Sequence, residues 1–380
     1  MNSKVYLAFL LSIVIGVQLF AQQRAITTAA PFLLIIPDAR AGGMGDVGVS
    51  TSPDVYSQHH NPAKYAFAEA QFNVGVNYTP WMRELINDVF LGGFTFANRI
   101  NERSAWAASL KYFTLGQIQL TDYNGFEIGI EKPNELAIDG TYAMKLSETY
   151  SMGVTLRYIR SDFALKVENS ELKTVNTVAV DISGFYQSNE DFYGDFSGRW
   201  RGGFNISNIG PKVRYTDGGN ENFIPTNLKL GGGFDFIIDE YNTISTNLEF
   251  NKLLIPTPPI RDRVTGAVLD GKEDNVAWVK GIFQSFNDAP DGFSEELKEF
   301  TWGLGAEYLY DKSFTLRAGY FNENELKGAR KYFTLGAGFK FKSSSIDLSY
   351  LFNSSKINNP LENTLRFSLS FNFGDLYEGY

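Results

Sequence analysis

Few residues in this chain are equipped for chemistry. It holds two histidines and no cysteine, which excludes disulfides, thiolate zinc sites and iron–sulfur clusters. His59 and His60 are adjacent and so point in different directions, with no third ligand suggested beside them. Hydrogen-bonded histidines explain the pair better than a metal site does. Ester hydrolysis of the serine type needs a histidine base within reach of its nucleophile, and both histidines fall in one amino-terminal stretch. Carboxylate pairs are frequent, but none stands apart from solvated charge. Gly43-Met44-Gly45-Asp46-Val47-Gly48 fits the dinucleotide pattern G-x-G-x-x-G. The following Ser50, Thr51, Ser52 and Pro53 do not form the helix that should receive a pyrophosphate, so the glycines are assigned to tight turns. No catalytic, cofactor-binding or metal-ligating residue is assigned, no cofactor is expected, and the chain reads as something other than an enzyme.

The elements around these residues set a different expectation. The 380 residues include 32 Phe, 20 Tyr, 5 Trp and 36 Gly, with 43 acids against 34 bases. The acidic balance argues against nucleic acid as a partner. Lys4 precedes an apolar stretch from Val5 to Ala21, followed by Gln22 and Gln23. This reads as a secretory signal peptide over residues 1–21, with an amino-terminal membrane anchor as the alternative. No later segment approaches the roughly 18 apolar residues of a membrane helix.

From Gln71 onward the hydropathy alternates with period two. Phe333, Leu335, Ala337, Phe339 and Phe341 interleave with Thr334, Gly336, Gly338, Lys340 and Lys342, which puts oily residues on one face of a strand and small or charged residues on the other. Leu365 to Phe373, Ile346 to Phe352, Leu136 to Met144 and Leu228 to Phe236 repeat the pattern. About fourteen such segments start near residues 71, 88, 104, 133, 149, 174, 198, 226, 242, 300, 314, 331, 345 and 363. The number is even, and most reach the roughly 9 to 11 residues of a tilted membrane strand.

Linker lengths test this count independently. Asn98 to Arg103, Ser147 with Glu148, Asp239 to Tyr241, Asp311 to Ser313 and Lys342 to Ser344 are short, whereas Asp122 to Pro133, Ser161 to Lys173, Gly210 to Pro225 and Ile255 to Glu299 are long. Alternation of short periplasmic turns with long external loops is a property of outer-membrane barrels. The sixth linker, Ser188 to Ser197, is longer than a turn and breaks the rule. The oily face is too aromatic for solvent and the other face too charged for a core, so the oily face meets lipid. Tyr78, Trp81, Trp302, Tyr308 and Tyr310 suit interfacial girdles. The fold class is therefore all-β, a transmembrane antiparallel β-barrel of about fourteen strands over residues 71–374 in a Gram-negative outer membrane.

A barrel of this size leaves a bore that must be open or plugged. Residues 22–70 are the available plug. The linker at 255–299 is far longer than closure needs, and loops of that length are usually functional or disordered, which makes it the candidate interaction surface. Within it Val276, Val279, Phe283 and Phe286, with Trp278 and Ile282 beside them, follow helical spacing over Asp274 to Phe286. This external helix should pack on the rim or present itself to a partner, and Trp81 in the first external loop is expected to join it.

Several motifs in this frame resemble a known family. Pro31-Phe32, Pro37-Asp38-Ala39-Arg40-Ala41-Gly42-Gly43-Met44-Gly45-Asp46 and Asn61-Pro62-Ala63-Lys64 resemble the plug of the PorV family, the outer-membrane barrels of the type IX secretion system. The looser Arg40 to Asp46 and Asn61-Pro62-Ala63 elements are similar to those of the wider group of fatty-acid-channel-like barrels. Tyr78-Thr79-Pro80-Trp81, Lys111 to Gly116, Leu156 to Asp162, Gln284 to Pro290 and Gly292 to Glu299 carry the resemblance along nearly the whole chain. His60 departs from it, standing where relatives often have an aromatic residue. The resemblance implies a non-enzymatic role in protein transport in Bacteroidota, many of them gliding bacteria. It implies association with a large translocon barrel, receipt of cargo proteins by their carboxy-terminal domains, and delivery to a sortase-like attachment complex. The alternative it leaves is a channel for hydrophobic small molecules.

Overall fold

The computed structural model describes residues 25–81, 88–121, 124–163, 172–355 and 362–377. The signal segment lies outside the described residues. Fourteen long strands close into an antiparallel barrel. They are β1 (Ala70–Pro80), β2 (Phe90–Arg99), β3 (Ser104–Thr114), β4 (Asn134–Lys145), β5 (Tyr150–Asp162), β6 (Val175–Gln187) and β7 (Ser197–Ile209), followed by β8 (Asn227–Ile237), β9 (Asn242–Leu253), β10 (Thr301–Tyr310), β11 (Phe314–Asn322), β12 (Lys331–Phe341), β13 (Ser344–Asn353) and β14 (Leu365–Leu376). Each pairs with its sequence neighbours, and β14 returns to β1 through rungs such as Val76 opposite Leu369. Closure leaves no edge unpaired in lipid, the condition a membrane sheet must meet. Among the described residues no helix is long and apolar enough to cross a membrane; the strands cross instead.

The alternation decides which face is which. Ile138, Tyr142, Leu335 and Phe333 are exposed on the outer wall, whereas their neighbours Asp139, Thr141 and Thr334 are buried in the lumen. Outward rings gather in two bands, as girdles at the two interfaces should. Phe373, Phe72, Phe96 and Trp106 form one, with successive ring centroids 5.4, 6.2 and 5.3 Å apart. Trp302, Tyr320 and Phe333 belong to the other, at 5.4 and 4.8 Å. Tyr78 and Tyr310 are exposed outward. Trp81 is not a girdle residue: it turns into the barrel mouth, edge-on to Phe113 at 6.2 Å.

The short linkers are turns. Asp311 and Lys312 both take positive φ, 49° and 52°, in the reversal between β10 and β11, which suits a tight hairpin. The overlong sixth linker has a structural cause, because Asp191–Phe192 folds back as an extra short strand on β7, with Gly198 opposite Asp191.

Residues 25–69 run through the lumen. They contain α1 (Ala39–Gly42), α2 (Ser57–His60) and 3-10 turns at Pro31–Leu34 and Pro62–Phe67. Ala29 and Phe32 lie among Leu91, Phe113, Ile159 and Ile224 at the end carrying the long loops. Tyr65 and Phe67 lie among Ala97, Ala107 and Phe185 at the opposite end. Between these apolar layers the lumen is polar.

Candidate functional site

Lumen glycines make room for the plug backbone. A side chain at Gly303, Gly305 or Gly319 would collide with Met44 or Gly45, and one at Gly336 would press on Gly43. The glycines that alternate with the oily residues therefore form a seat, and the plug motif lies in it. Gly45 itself has φ 70°, a conformation that favours glycine.

The G-x-G-x-x-G pattern now has a physical reading. The amides of Gly48 and Val49 both donate to Glu249 Oε2 at 2.8 Å, and that of Gly45 donates to Thr334 Oγ1 at 2.8 Å. The anion that the Gly48 and Val49 amides bind is a carboxylate of the barrel wall. Asp46 bonds the Tyr332 hydroxyl at 2.5 Å and Arg366 at 3.0 Å.

Arg40 is the centre of the polar layer. Its Nε and Nη2 grip Glu307 at 3.0 and 2.8 Å, while Nη1 reaches Asp54 at 2.7 Å and Nη2 reaches Ser52 Oγ at 2.6 Å. Glu307 also takes Arg317 Nε at 2.6 Å, and Arg317 reaches Asp347 at 2.6 Å. The bidentate fork uses the planar guanidinium and ties the plug to strands far away in sequence.

Asp38 caps α1 through the Ala41 amide at 2.8 Å and holds His60 Nε2 at 2.7 Å. His59 Nδ1 faces Lys111 Nζ at 3.3 Å, and the same ammonium donates to the Ile35 carbonyl at 2.7 Å. Among the described residues no group of three or more candidate ligands converges on a metal position. In Asn61-Pro62-Ala63, Asn61 caps the 3-10 turn by accepting from the Ala63 amide at 3.2 Å, with Pro62 at the first turn position. Asn61 Nδ2 donates to Gly184 O at 3.0 Å, and Ser151 Oγ donates to Ala63 O at 2.8 Å. The motif residues from Arg40 to Asp46 and from Asn61 to Ala63 therefore sit inside the barrel, several bonded directly to its wall.

A cleft of about 30 Å³ lies between Leu33, Tyr56 and His59 and the wall residues Lys111, Asp139 and Arg157. That is room for a water or two, and its walls are charged.

The outer rim is the second feature. In the linker 254–300 the helical spacing is realised as α3, which covers Trp278–Gln284 only and not the whole of Asp274 to Phe286. Gly281, whose Cβ would meet Phe223 and Pro256, is its contact face. Val276, Trp278 and Ile282 are half-buried, whereas Val279, Phe283 and Phe286 are exposed. A second helix, α4 (Phe293–Lys298), was not anticipated. It is inverted: Glu295, Glu296 and Glu299 just beyond its end are buried, while Phe293 and Leu297 are 75% and 55% exposed. Lys252 Nζ meets Glu296 at 3.0 Å and Glu299 at 2.6 Å, and Lys327 Nζ meets Glu295 at 2.7 Å and Glu299 at 2.9 Å. Period and moment arguments miss this helix because its buried face is acidic and its partners are distant lysines.

Comparison with known proteins places the chain. A family model described as type IX secretion system protein PorV matches residues 18–260. No curated protein matches significantly. Among solved structures, the deltaS2S3 mutant of the TodX monoaromatic hydrocarbon channel superposes with a TM-score of 0.52 at 12% identity, covering 88% of this chain and 99% of the other. The P. putida toluene transporter TodX superposes with a TM-score of 0.50 at 12% identity, covering 88% and 98%. At that identity the likeness is one of fold, an outer-membrane barrel.

Proposed function

This chain belongs to the PorV family of type IX secretion system proteins, and from that premise we propose that it is a docking component that binds the system's large translocon barrel and receives cargo proteins by their carboxy-terminal domains. It then passes cargo to a sortase-like attachment complex. Family and fold are those of transport barrels and not of enzymes. The observation that carries the proposal is the pairing of a filled bore with a structured rim. A lumen occupied by residues 25–69 is not a route for protein, so the work falls to the outside. The long linker there presents Val279 and Phe283 on α3 and Phe286 just beyond its end. Val276, Trp278 and Ile282 are half-buried beside them, and Trp81 packs edge-on to Phe113 at the mouth. Exposed aromatic side chains on a braced element are the chemistry of a protein contact.

The hydrophobic-channel alternative is weaker. A cleft of about 30 Å³ walled by Lys111, Asp139 and Arg157 is far below the roughly 150 Å³ apolar cavity that admits a benzene.

The test is removal of Asp274 to Phe286 from the chromosomal copy. Cargo should then accumulate in the periplasm while the barrel still migrates as a folded species in the outer membrane. Normal surface display of cargo with an intact barrel overturns the proposal.

A further inference from the structure

Helix α4 lies outside the barrel wall. On β9 the lumen face carries Ser245, Asn247 and Glu249, bonded respectively to Asp235, Ser50 and the Gly48 amide. Leu248 and Phe250 point the other way and are exposed outward. The β9 ladders to β8 and β10 run without a bulge, so Lys252 falls on the outward face with Phe250. Yet its side chain is only 1% exposed. It is covered by Glu296 and Glu299, and its ammonium stands 5.4 Å from the centroid of the Phe300 ring. The acidic side of α4 is therefore clamped to the outer surface of the rim.

That surface adjoins the membrane interface. Phe250 pairs with Trp302 on the outward face, and Trp302 opens the aromatic band that continues through Tyr320 and Phe333. Lys252 lies two residues beyond Phe250, about 7 Å along the strand. Phe293 and Leu297, one helical turn apart, face away from the clamp on one flank, with Ser294 and Lys298 on the other. We propose that α4 is an interfacial anchor whose Phe293 and Leu297 lie in the headgroup layer of the outer leaflet, extending the aromatic girdle beyond the last strand rung. The occupant is lipid because the clamp holds the helix on the outward face only two residues beyond the girdle rung of Phe250 and Trp302, with Phe293 and Leu297 exposed. An amphipathic helix with apolar and lysine flanks is the form that lies in such a layer. The anchor fixes the height and direction of the linker that carries α3. It is independent of any protein partner.

The chain's lack of cysteine makes the test direct. Single cysteines replace Phe293, Leu297, Leu304 and Val264 in turn. Each is labelled with an environment-sensitive fluorophore and reconstituted in phosphatidylcholine–phosphatidylglycerol vesicles carrying a lipid with a shallow nitroxide quencher. Leu304, outward on β10, reports lipid, and Val264, 95% exposed at the loop tip, reports water. Labels at 293 and 297 should be quenched at least half as strongly as the label at 304, and Glu296→Gln with Glu299→Gln should reduce that quenching in a barrel that still migrates as folded. Labels at 293 and 297 that behave like the one at 264 overturn the proposal. So does quenching lost as protein density rises, which would mean that a second copy covers this face. Neither translocon nor cargo is present, so the result is separate from the secretion test.

Discussion

Replacing Arg40 by alanine probes the hub of the plug. The substitution removes the fork on Glu307 at 3.0 and 2.8 Å and the contact to Asp54 at 2.7 Å. Breaking a buried pair by removing one partner costs about 3–5 kcal/mol, because the remaining charge is left uncompensated. Here Glu307 keeps Arg317 at 2.6 Å and Asp54 keeps the Ser57 hydroxyl at 3.2 Å, so the lower end applies. A loss of about 3 kcal/mol corresponds to roughly 150-fold in an equilibrium at 1.36 kcal/mol per tenfold. Arg40→Lys retains charge but not the planar fork and should fall between the two. The assay is reversible urea unfolding of the barrel in lipid vesicles, run as a double-mutant cycle with Glu307→Ala. The expected coupling is about 2 kcal/mol, within the range for directly bonded residues. Planar-bilayer recordings of Arg40→Ala should show openings as the plug loosens. A coupling below about 0.5 kcal/mol, the scatter of independent sites, with closed recordings, would refute the claim that Arg40 holds the plug.

Other substitutions test separate parts of the arrangement. In Gly319→Ala the new methyl would overlap the Gly45 amide and Met44; overpacking of about 1–3 kcal/mol should displace the plug and raise conductance, and a silent, fully stable barrel would sink the idea of a glycine seat. The Tyr56 hydroxyl shares its one proton between Val76 O at 3.0 Å and Leu369 O at 2.8 Å, carbonyls of facing residues on the first and last strands, so Tyr56→Phe should lose about 1–2 kcal/mol and lower the temperature at which the compact band unfolds in electrophoresis; an unchanged temperature counts against a clasp at the closing seam. In the rim loop, burial, aided by the Glu296 charge, pushes the Asp288 carboxyl up from 3.8 to about 6. The docked loop thus holds a proton that a released loop has lost, and docking weakens as pH rises from about 4 through about 6. Protease nicking within 255–299, normalised to a free loop peptide, should be faster at about pH 7.5 than at about pH 5, and Asp288→Asn should flatten the difference; nicking that falls with rising pH would contradict the sign.

The barrel was legible because its determinants are local. A strand with one face in lipid and one in a polar lumen must alternate, so Phe333 to Lys342 states both its conformation and its orientation. Every one of the fourteen expected strands is present, with starts within two residues of those read from the alternation. Where the reading slipped, a longer-range contact had intervened. The sixth linker is long because Asp191–Phe192 pairs back on β7. Trp81 has the composition of a girdle residue, but the mouth cluster around Phe32 and Phe113 supplies apolar surface that draws it inward.

The amino-acid sequence by itself determined strand number, the lipid-facing side, the alternation of turns and loops, and that residues near 22–70 were available to fill the bore. These follow from periods and lengths, which any segment carries within itself. Only the tertiary structure decided how the pieces engage. That Gly48 and Val49 bind Glu249, that Arg40 grips Glu307, and that Tyr56 bridges Val76 and Leu369 depend on which lumen residues closure brings to the same depth. No local pattern encodes such pairings across hundreds of residues. The inverted face of α4 is the sharpest case: Glu295, Glu296 and Glu299 look like solvent residues until Lys252 and Lys327 meet them at the rim, leaving Phe293 and Leu297 on the outside.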